Sequence, residues 1–345
     1  MYREISPGVV NTQYWHPIDD KRIQCDLCPH FCQLKEGQRG LCFIRANQNA
    51  KVVLTSYGRS SGFCVDPIEK KPLNHFFPGS SIFSFGTAGC NLSCKFCQNW
   101  DMSKSREMDI LAARAGPEEL AKTALQRGCR SMAYTYNDPV IFLEYAVDVA
   151  QACAEVGVHS VAVSAAYINS PAREDFFRYM QAANIDLKAF SETFYRRLTG
   201  GHLQVVLDSL EYLVKETQIW LELTCLLIPG ENDTDAELEA MTQWIVEHLG
   251  NHIPIHFTAF HPAWKMIDKP RTPLATLQKA RNIALAGGLL YAYTGNVRDI
   301  TGSTTWCTHC NRALIVRDGY SIVHNHLTSQ SCCPYCGTQC AGIFS

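Results

Sequence analysis

Between about residue 80 and residue 296, seven short β-rich runs alternate with six amphipathic helical patterns. The runs are "SIFSFGT", "SMAYTY", "SVAVSAA", "NIDLKAF", "IWLELTCLLI", "IPIHFTAF" and "LLYAYTG". They are almost continuously apolar, which is typical of parallel strands buried on both faces. Strands that alternate with helices in this way predict parallel β/α repeats, arranged either as an open sheet or as a barrel.

Helix start and stop signals support this alternation. Pro117 lies in the first turn of "GPEELAKTALQRG", and Gly128 provides its stop. Ser170 begins a second pattern and Thr272 a third, and each is followed directly by a proline. A capping residue before proline and a glycine after the last apolar position are the start and stop signals expected of a short helix between strands.

Polar side chains recur near the ends of six successive strand patterns, and this recurrence favours a barrel. They are Thr135, Tyr136, Asn137 and Asp138, then Ser164, Asp186, Lys188, Glu222, Thr224, His256, His261 and Asn296. In β/α barrels the chemistry collects at the carboxyl ends of the strands. We therefore predict an α/β fold, a partial (β/α)6-type TIM barrel with small Cys-rich modules at both ends. The expected domains are residues 1–79, 80–300 and 301–345.

Composition restricts the class of protein. The chain has 345 residues, is 46% hydrophobic and 19% charged, and carries a net charge of −2. That balance gives no electrostatic reason to expect a nucleic acid or a membrane surface as partner. No apolar run is long enough to span a membrane, and no signal peptide is visible, so we expect a cytoplasmic protein. In a reducing compartment its 17 cysteines are better explained as metal ligands than as disulfides.

Three of those cysteines share one loop, "GTAGCNLSCKFCQNW", which follows the first strand pattern of the repeats. Cys90, Cys94 and Cys97 have the spacing C-x3-C-x2-C, without a fourth cysteine nearby. A cubane iron–sulfur cluster ordinarily takes four thiolates, so three would leave one iron open to a ligand. An open coordination position separates catalytic from structural metal sites. Zinc in a tight knuckle is the structural alternative.

This loop resembles that of the radical S-adenosylmethionine (SAM) superfamily, including the aromatic Phe96 before the last cysteine. Further motifs resemble the radical enzymes of the AmmeMemoRadiSam system, relatives of pyruvate formate-lyase-activating enzymes. They are "CDLCPHFCQLKEGQRGLC", "DPIEKKPLNHFFPGS", "AYTYNDP", "NIDLKAF", "LIPGEND" and "FHPAWKM". The resemblance implies a [4Fe–4S] cluster on the three cysteines, with SAM chelated at its open iron. One-electron cleavage of SAM would then give a 5′-deoxyadenosyl radical that abstracts hydrogen from substrate.

The resemblance also implies residues that hold SAM. Phe96 belongs to the cluster loop, and Asn137 and Asp138 match the segment near the SAM amino group, where the family more often has Glu at the second position. Asp186 and Lys188 match the segment near the ribose and carboxylate; an exposed Asp–Lys pair at a strand end is the structural alternative. The third strand departs from the family pattern and leaves Ser164 and Asn169 as candidates.

Two further cysteine groups flank the repeats. Cys25, Cys28, Cys32 and Cys42 can form a closed site for structural zinc or for an auxiliary iron–sulfur cluster. Near the C-terminus, two C-x2-C pairs enclose the strand-like "RALIVRDGYSIV" and predict a zinc ribbon or rubredoxin-like module. Its expected zinc ligands are Cys307, Cys310, Cys333 and Cys336, although Cys332 or Cys340 can replace one of them. The charged segment "DPIEKKP", which lies just before the first predicted strand of the repeats, is either a solvated loop or a segment with a lid or active-site role.

The predicted function is a radical SAM enzyme acting on an unidentified small molecule or peptide. Activation of a glycyl-radical enzyme is the alternative within this class, and metal modules beside the barrel mouth disfavour so large a substrate. An iron–sulfur electron carrier or a zinc-ribbon binding protein is the alternative of another class. The expected partners are a low-potential donor of the flavodoxin or ferredoxin type and other proteins of the AmmeMemoRadiSam system.

Overall fold

The computed structural model describes residues 1–108, 111 and 113–345. The described chain forms two compact units, each assembled from separate stretches of sequence. Unit 1 comprises Met1–Asp66, Ser81–Gln181 and Leu198–Ser209, and unit 2 comprises Pro67–Ser80, Ala182–Arg197 and Leu210–Ser345. The domain boundaries expected after residues 79 and 300 stay predictions.

The N-terminal part of unit 1 consists of short strands. These are β1 (Glu4–Ser6), β2 (Val9–Asn11), β3 (Trp15–Pro17), β4 (Arg22–Cys25), β5 (Gln33–Lys35), β6 (Arg45–Gln48), β7 (Lys51–Leu54), β8 (Arg59–Ser60) and β9 (Phe63–Pro67). Two small antiparallel sheets form from them, with the orders β1-β2-β7-β6 and β3-β4-β5. The first cysteine of the N-terminal group therefore ends a strand, β4.

The remainder of unit 1 contains parallel β/α repeats. Its elements are β10 (Ser81–Phe85), α1 (Trp100–Ser103), β11 (Ala113–Arg114), α2 (Pro117–Gln126), β12 (Ser131–Tyr134), α3 (Leu143–Glu155), β13 (His159–Ser164) and α4 (Ser170–Phe177). Strands β10, β12 and β13 pair in parallel, and β11 pairs with β8 in antiparallel fashion. All four residues of β12 are buried, as expected of a strand covered on both faces.

Unit 2 repeats this design and ends in a separate small sheet. Its first helix is α5 (Glu192–Phe194). Helix α6 (Leu203–Glu216) begins in the last stretch of unit 1 and ends in unit 2. The other elements are β14 (Ala182–Asp186), β15 (Trp220–Leu227), α7 (Asp235–His248), β16 (Ile255–Ala259), α8 (Leu274–Ala286), β17 (Ala292–Gly295), α9 (Ile300–Ser303), β18 (Thr305–Trp306), β19 (Ala313–Asp318) and β20 (Ser321–Asn325). Strands β14 to β17 pair in parallel, and β18 to β20 are antiparallel.

All seven predicted strands are present, and the predicted α/β class is confirmed. Helix α2 begins at Pro117 as predicted, and Gly128 follows its end with a positive φ of 67°. At α8 the predicted cap is wrong: the helix begins at Leu274, and the Thr272 hydroxyl instead donates to the Leu227 carbonyl. Among the described residues, no helix combines the length and apolarity needed to cross a membrane.

Three of the expected strand-end residues lie elsewhere. Glu222 is the third residue of the eight-residue β15, Thr224 is the fifth, and His256 is the second of five in β16. The apolar runs continue beyond these polar positions, so the strands end later than the polar residues suggested. Asp186, in contrast, ends β14, and Asn296 directly follows β17.

Glu222 has a structural role within unit 2. Its buried carboxylate accepts the backbone N–H groups of Asn74 at 3.0 Å and His75 at 2.7 Å. It also lies 3.0 Å from the Trp220 indole nitrogen and 2.6 Å from His256 Nε2. Four donors around one carboxylate hold its pKa below the usual value against the opposing effect of burial. Glu222 therefore anchors the segment that precedes β10.

The "DPIEKKP" segment is built into the fold instead of forming a solvated loop. Ile68–Lys70 form a 3-10 turn, and Glu69 and Lys71 are only 5% and 3% exposed. The Glu69 carboxylate accepts the Gly79 N–H at 2.8 Å. Arg317, also buried, donates to the Asn74 carbonyl at 2.7 Å. The interpretation as a solvated loop is therefore wrong for these residues, while a lid role stays a prediction.

His75 should make the stability of unit 2 sensitive to acid. Its ring is neutral: Nδ1 donates to the Ala341 carbonyl at 2.6 Å, and Nε2 accepts from the Tyr293 hydroxyl at 2.5 Å. Burial lowers its pKa from 6.5 to about 4. As the pH falls, His75 is protonated at a higher pH in the unfolded chain than in the folded one. The contribution of neutral His75 to the free energy of unfolding is therefore fully present above pH 6.5 and declines as the pH falls toward 4.

We expect His75 to account for a loss of about 2 kcal/mol of unfolding free energy between pH 7 and pH 5. Urea unfolding at both pH values measures it. A His75→Gln variant should be less stable at pH 7 but should vary less over this range. An equal pH dependence in both proteins would contradict the assignment.

Candidate active site and metal centres

The loop with Cys90, Cys94 and Cys97 follows β10 in unit 1, where the parallel strands of that unit have their carboxyl ends. Cys94 is buried, and Cys90 and Cys97 are partly buried. Helix α1 begins three residues after Cys97, and its Ser103 hydroxyl lies 3.0 Å from Cys97 Sγ. The chain thus folds back over the third cysteine within one short turn.

The surroundings of Cys90 suit a metal-bound thiolate. Its sulfur accepts the Leu92 N–H at 3.5 Å and the backbone N–H of Asp138. Burial raises the pKa of the Cys90 thiol, the Asp138 carboxylate raises it further, and Lys104 lowers it. Burial and the nearby carboxylate both disfavour a free thiolate at Cys90, and the positive charge of a bound metal would stabilise it.

Asn137 holds the loop against the end of β12. Its Oδ1 accepts the Thr87 N–H at 3.1 Å, and its Nδ2 donates to the Gly89 carbonyl at 2.7 Å. The approach is close, because a Cβ on Gly86 would lie 2.4 Å from the Thr135 carbonyl oxygen and 2.6 Å from Asn137 Oδ1. The resemblance implies a SAM contact for Asn137 and gives no sign that its side chain also holds the loop. The sequence signal for this role is the pair Gly86 and Gly89, which permits the close approach of the loop to β12.

Asp138 and Ser164 come together beside Cys90, while Asn169 points elsewhere. The Ser164 hydroxyl donates to Asp138 Oδ1 at 2.7 Å, and Ser164 is the last residue of β13. Asn169 instead donates through Nδ2 to the Asp26 carbonyl at 2.7 Å, in the N-terminal cysteine segment. The structure therefore brings the second-strand and third-strand candidates to one place.

The remaining predicted cofactor residues lie in separate units. Phe96, in the loop of unit 1, is 3% exposed. In unit 2, Asp186 Oδ2 lies 2.7 Å from Lys188 Nζ, and the Lys188 N–H donates to the Tyr195 hydroxyl at 3.1 Å. Asp186 and Lys188 thus form the ion pair that the sequence allowed, with Lys188 the less exposed partner. Their contact with SAM stays a prediction.

The C-terminal cysteines form a compact donor cluster. Cys307 and Cys336 have sulfurs 3.5 Å apart, and those of Cys310 and Cys333 are 3.6 Å apart. All four sulfurs lie within 4.8 Å of one another. A tetrahedral zinc site with 2.3 Å bonds needs thiolates about 3.8 Å apart, so this group fits one small metal ion. Cys340 instead contacts the Tyr291 hydroxyl.

The loop thiols meet a different requirement. Within residues 1–108, 111 and 113–345, the C-terminal group alone has three or more such donors this close together. Cys90, Cys94 and Cys97 therefore stand further apart than a single zinc ion requires. Thiolates that each bind a different iron of a cubane need that wider spacing. Three soft sulfur donors, of which Cys90 accepts amide N–H groups and Cys97 lies beside the Ser103 hydroxyl, fit a [4Fe–4S] cluster with one open iron.

Comparison with known proteins establishes the family. The model of the "Radical SAM superfamily" matches residues 85–242, which include the three-cysteine loop. The chain belongs to the radical SAM superfamily. Members of this superfamily are enzymes, and the family implies a [4Fe–4S] cluster and SAM as cofactors. An uncharacterized protein of Methanocaldococcus jannaschii is 36% identical over 88% of this chain and 90% of its own length.

Other relatives place this radical SAM protein near the activating enzymes. A 4-hydroxyphenylacetate decarboxylase activating enzyme of Clostridioides difficile is 22% identical over 59% of this chain and 70% of its own length. A crystal structure of a radical SAM methyltransferase from Sphaerobacter thermophilus matches 83% of this chain and 76% of that chain, with a TM-score of 0.51 and 14% identity. At that identity the likeness concerns the fold alone, and the predicted partial barrel is confirmed.

Proposed function

We propose that this radical SAM protein is an oxidoreductase that reductively cleaves SAM and abstracts hydrogen from a small-molecule or peptide substrate. The observation that carries the proposal is the three-cysteine loop. It lies at the carboxyl ends of parallel strands, and its three thiols are not all within 4.8 Å of one another, as one zinc ion would need. An electron carrier has no need for an open iron.

The chain's own residues supply ligands and position. Cys90, Cys94 and Cys97 hold the cluster, whose chemistry when bound is the one-electron cleavage of SAM to a 5′-deoxyadenosyl radical. Asn137 fixes the loop that carries the ligands. The N–H groups that reach Cys90 stabilise its thiolate.

The SAM-binding set is proposed from the resemblance. Phe96, Asn137 and Asp138 belong to unit 1, and Asp186 and Lys188 belong to unit 2. Asp138 is supported by its position beside Cys90, and Asn137 by its contact with the cluster loop. For Asn137 the two roles are compatible only if its amide keeps the loop contacts when SAM binds.

The partners and compartment of the enzyme are also proposals. The reaction needs a low-potential one-electron donor, for which a flavodoxin or a ferredoxin is suitable. The sequence motifs support other proteins of the AmmeMemoRadiSam system as partners, and we place the enzyme in the cytoplasm, where its cysteines stay reduced.

Anaerobically reconstituted protein tests the proposal. We expect a brown protein whose reduced cluster gives a paramagnetic resonance signal that changes when SAM is added, and which forms 5′-deoxyadenosine with dithionite. A signal that is insensitive to SAM, without 5′-deoxyadenosine, would favour the electron carrier.

Glycyl-radical activation is retained as a second function because an activating enzyme is among the relatives. Reduced enzyme, SAM and candidate glycyl-radical proteins of the same cell would be incubated together. A glycyl radical doublet that disappears with Cys97→Ala would establish this function; formation of 5′-deoxyadenosine without a doublet favours a smaller substrate.

The C-terminal group is proposed to bind structural zinc, which its sulfur spacing supports. Cys310→Ser should remove about one zinc per chain and loosen the segment after residue 300, while the cluster spectrum stays unchanged. Metal analysis and limited proteolysis measure the two effects. Iron in place of zinc at this position would contradict the assignment.

A further inference from the structure

The four N-terminal cysteines converge in unit 1. Cys25, Cys28 and Cys42 are buried, and Cys32 is partly buried. The backbone brings them together, because the Cys25 N–H donates to the Cys32 carbonyl at 3.0 Å. Each sulfur also accepts one backbone N–H: Cys25 accepts that of Leu27, Cys28 that of His30, Cys32 that of Leu41 and Cys42 that of Arg45. Four thiols that each accept an amide N–H are a donor set that suits an iron–sulfur cluster.

The spacing of these thiols separates iron–sulfur from zinc. The C-terminal group shows what a zinc spacing looks like in this protein, with sulfurs 3.5 and 3.6 Å apart. Among the described residues, the N-terminal group does not reach that closeness, and neither does the cluster loop. Neither group therefore has three sulfurs as close together as one zinc ion needs, and a cluster in which each thiolate binds a different iron does not need that closeness.

The N-terminal group lies directly against the cluster loop. Gly89 precedes Cys90, and a Cβ on Gly89 would lie 2.0 Å from the carbonyl oxygen of Cys42. On the other side of Cys90, the Asn91 carbonyl accepts a hydrogen bond of 2.6 Å from Nε2 of His30. His30 sits between Cys28 and Cys32 in sequence. One neighbour of Cys90 therefore contacts Cys42 itself, and the other contacts a residue that lies between Cys28 and Cys32 in sequence.

The outer edge of the group is open to a partner. Cys32 is the least buried of the four cysteines. Phe31 beside it is 46% exposed, and Leu41, whose N–H bonds to Cys32 Sγ, is 40% exposed. Electron-transfer partners meet over small contact areas, and a short apolar rim beside a ligand suffices for them.

We propose that Cys25, Cys28, Cys32 and Cys42 bind a second [4Fe–4S] cluster, which passes single electrons to the cluster on Cys90, Cys94 and Cys97. The inference rests on the proposed function of the loop. One electron from a ferredoxin or flavodoxin reduces the N-terminal cluster and then moves on to the loop cluster. The N-terminal cluster returns to its starting oxidation state, and no atom is transferred. The Cys42–Gly89 contact and the His30–Asn91 hydrogen bond provide the route.

Metal analysis of the anaerobic wild-type holoenzyme is the first test. We expect about eight irons and one zinc per chain, and magnetic coupling between two reduced clusters in the paramagnetic resonance spectrum. A count of about four irons with two zincs would overturn the proposal. This measurement needs no variant, so a folding defect cannot obscure it.

Variants then separate the two centres. The double variant Cys28→Ala/Cys32→Ala should keep about four irons and the SAM-sensitive signal. Its formation of 5′-deoxyadenosine should fall at least about 10-fold with reduced flavodoxin but remain within about twofold of wild type with dithionite, which reaches the loop cluster directly. Equal losses with both reductants, or no loss with flavodoxin, would overturn the relay. Cys310→Ser is the matched control, because it removes a thiolate ligand from the zinc group.

His30→Ala tests the route with both clusters in place. It should keep about eight irons and weaken the magnetic coupling, whereas unchanged coupling and unchanged flavodoxin-driven rates would contradict the route. Cys94→Ala separates the two hypotheses. If the Cys94→Ala variant keeps about four irons but the wild-type protein never responds to SAM, the second cluster is supported and the proposed function is wrong. If all iron is lost and wild type responds to SAM, the relay fails alone.

Discussion

Cys94→Ala is expected to reduce the formation of 5′-deoxyadenosine by at least about 100-fold, even with excess dithionite. Cys94 is buried in the cluster loop, and loss of one of three ligands leaves too few thiolates to hold the cluster with its open iron. The core of unit 1 is formed by buried strands that do not depend on this side chain. The variant should therefore stay folded while the SAM-sensitive signal disappears.

Cys129→Ala provides the matched control for this experiment. Cys129 is a buried cysteine of the same unit and belongs to none of the three groups. Its replacement costs at most about 1 kcal/mol of packing and should leave the iron content and the cleavage rate unchanged. Wild-type cleavage by the Cys94→Ala protein would show that the loop is not the cluster site.

Gly89→Ala is expected to destabilise unit 1 by roughly 3–5 kcal/mol and to release iron, since overpacking and a left-handed backbone add their costs. The φ of Gly89 is +80°, and the new Cβ would lie 2.0 Å from the Cys42 carbonyl oxygen and 3.0 Å from its carbonyl carbon. Backbone cannot rotate away as a side chain does, so the loop must move off the N-terminal group. Urea unfolding and iron analysis measure the two consequences.

Gly128→Ala separates the cost of a left-handed backbone from the cost of a steric clash. Gly128 also has a positive φ, +67°, but nothing lies within 4 Å of its added Cβ. It should cost about 1–2 kcal/mol without loss of iron. Equal effects of the two substitutions would mean that the contact between Gly89 and Cys42 is not important.

Sequence reasoning succeeded where a structural property depends on neighbours along the chain. The apolar runs predicted all seven strands because burial on both faces leaves a continuous pattern. The two C-x2-C pairs likewise predicted a compact donor group, because such a hairpin brings its own two thiols together. The cap predicted at Thr272 is wrong by one residue, because the Thr272 hydroxyl bonds to Leu227 on another element and Pro273 takes the cap position.

The contacts that sequence reasoning missed join distant parts of the chain. Glu222 and His256 carry polar groups that suggested an active-site face, yet they bond to each other, and Glu222 also accepts from the Trp220 indole and from the backbone amides of residues 74 and 75. No spacing announces such a pairing. The same holds for His30 and Asn91, which are 61 residues apart and connect two cysteine groups that the sequence presented as independent.

The way unit 2 is threaded has a consequence for protein synthesis. The His75 side chain bonds to the carbonyl of Ala341, 266 residues later, and the Ile343 N–H donates to the His75 carbonyl. Chains emerge from the ribosome from the N-terminus onward, and domains fold as they become complete. The last stretch of unit 1 ends at Ser209, whereas two partners of His75, Ala341 and Ile343, are synthesised long after that stretch and after its other partners Glu222 and Tyr293. During synthesis, unit 1 with its three-cysteine loop can therefore fold before the hydrogen bonds of His75 to Ala341 and Ile343 in unit 2 can form.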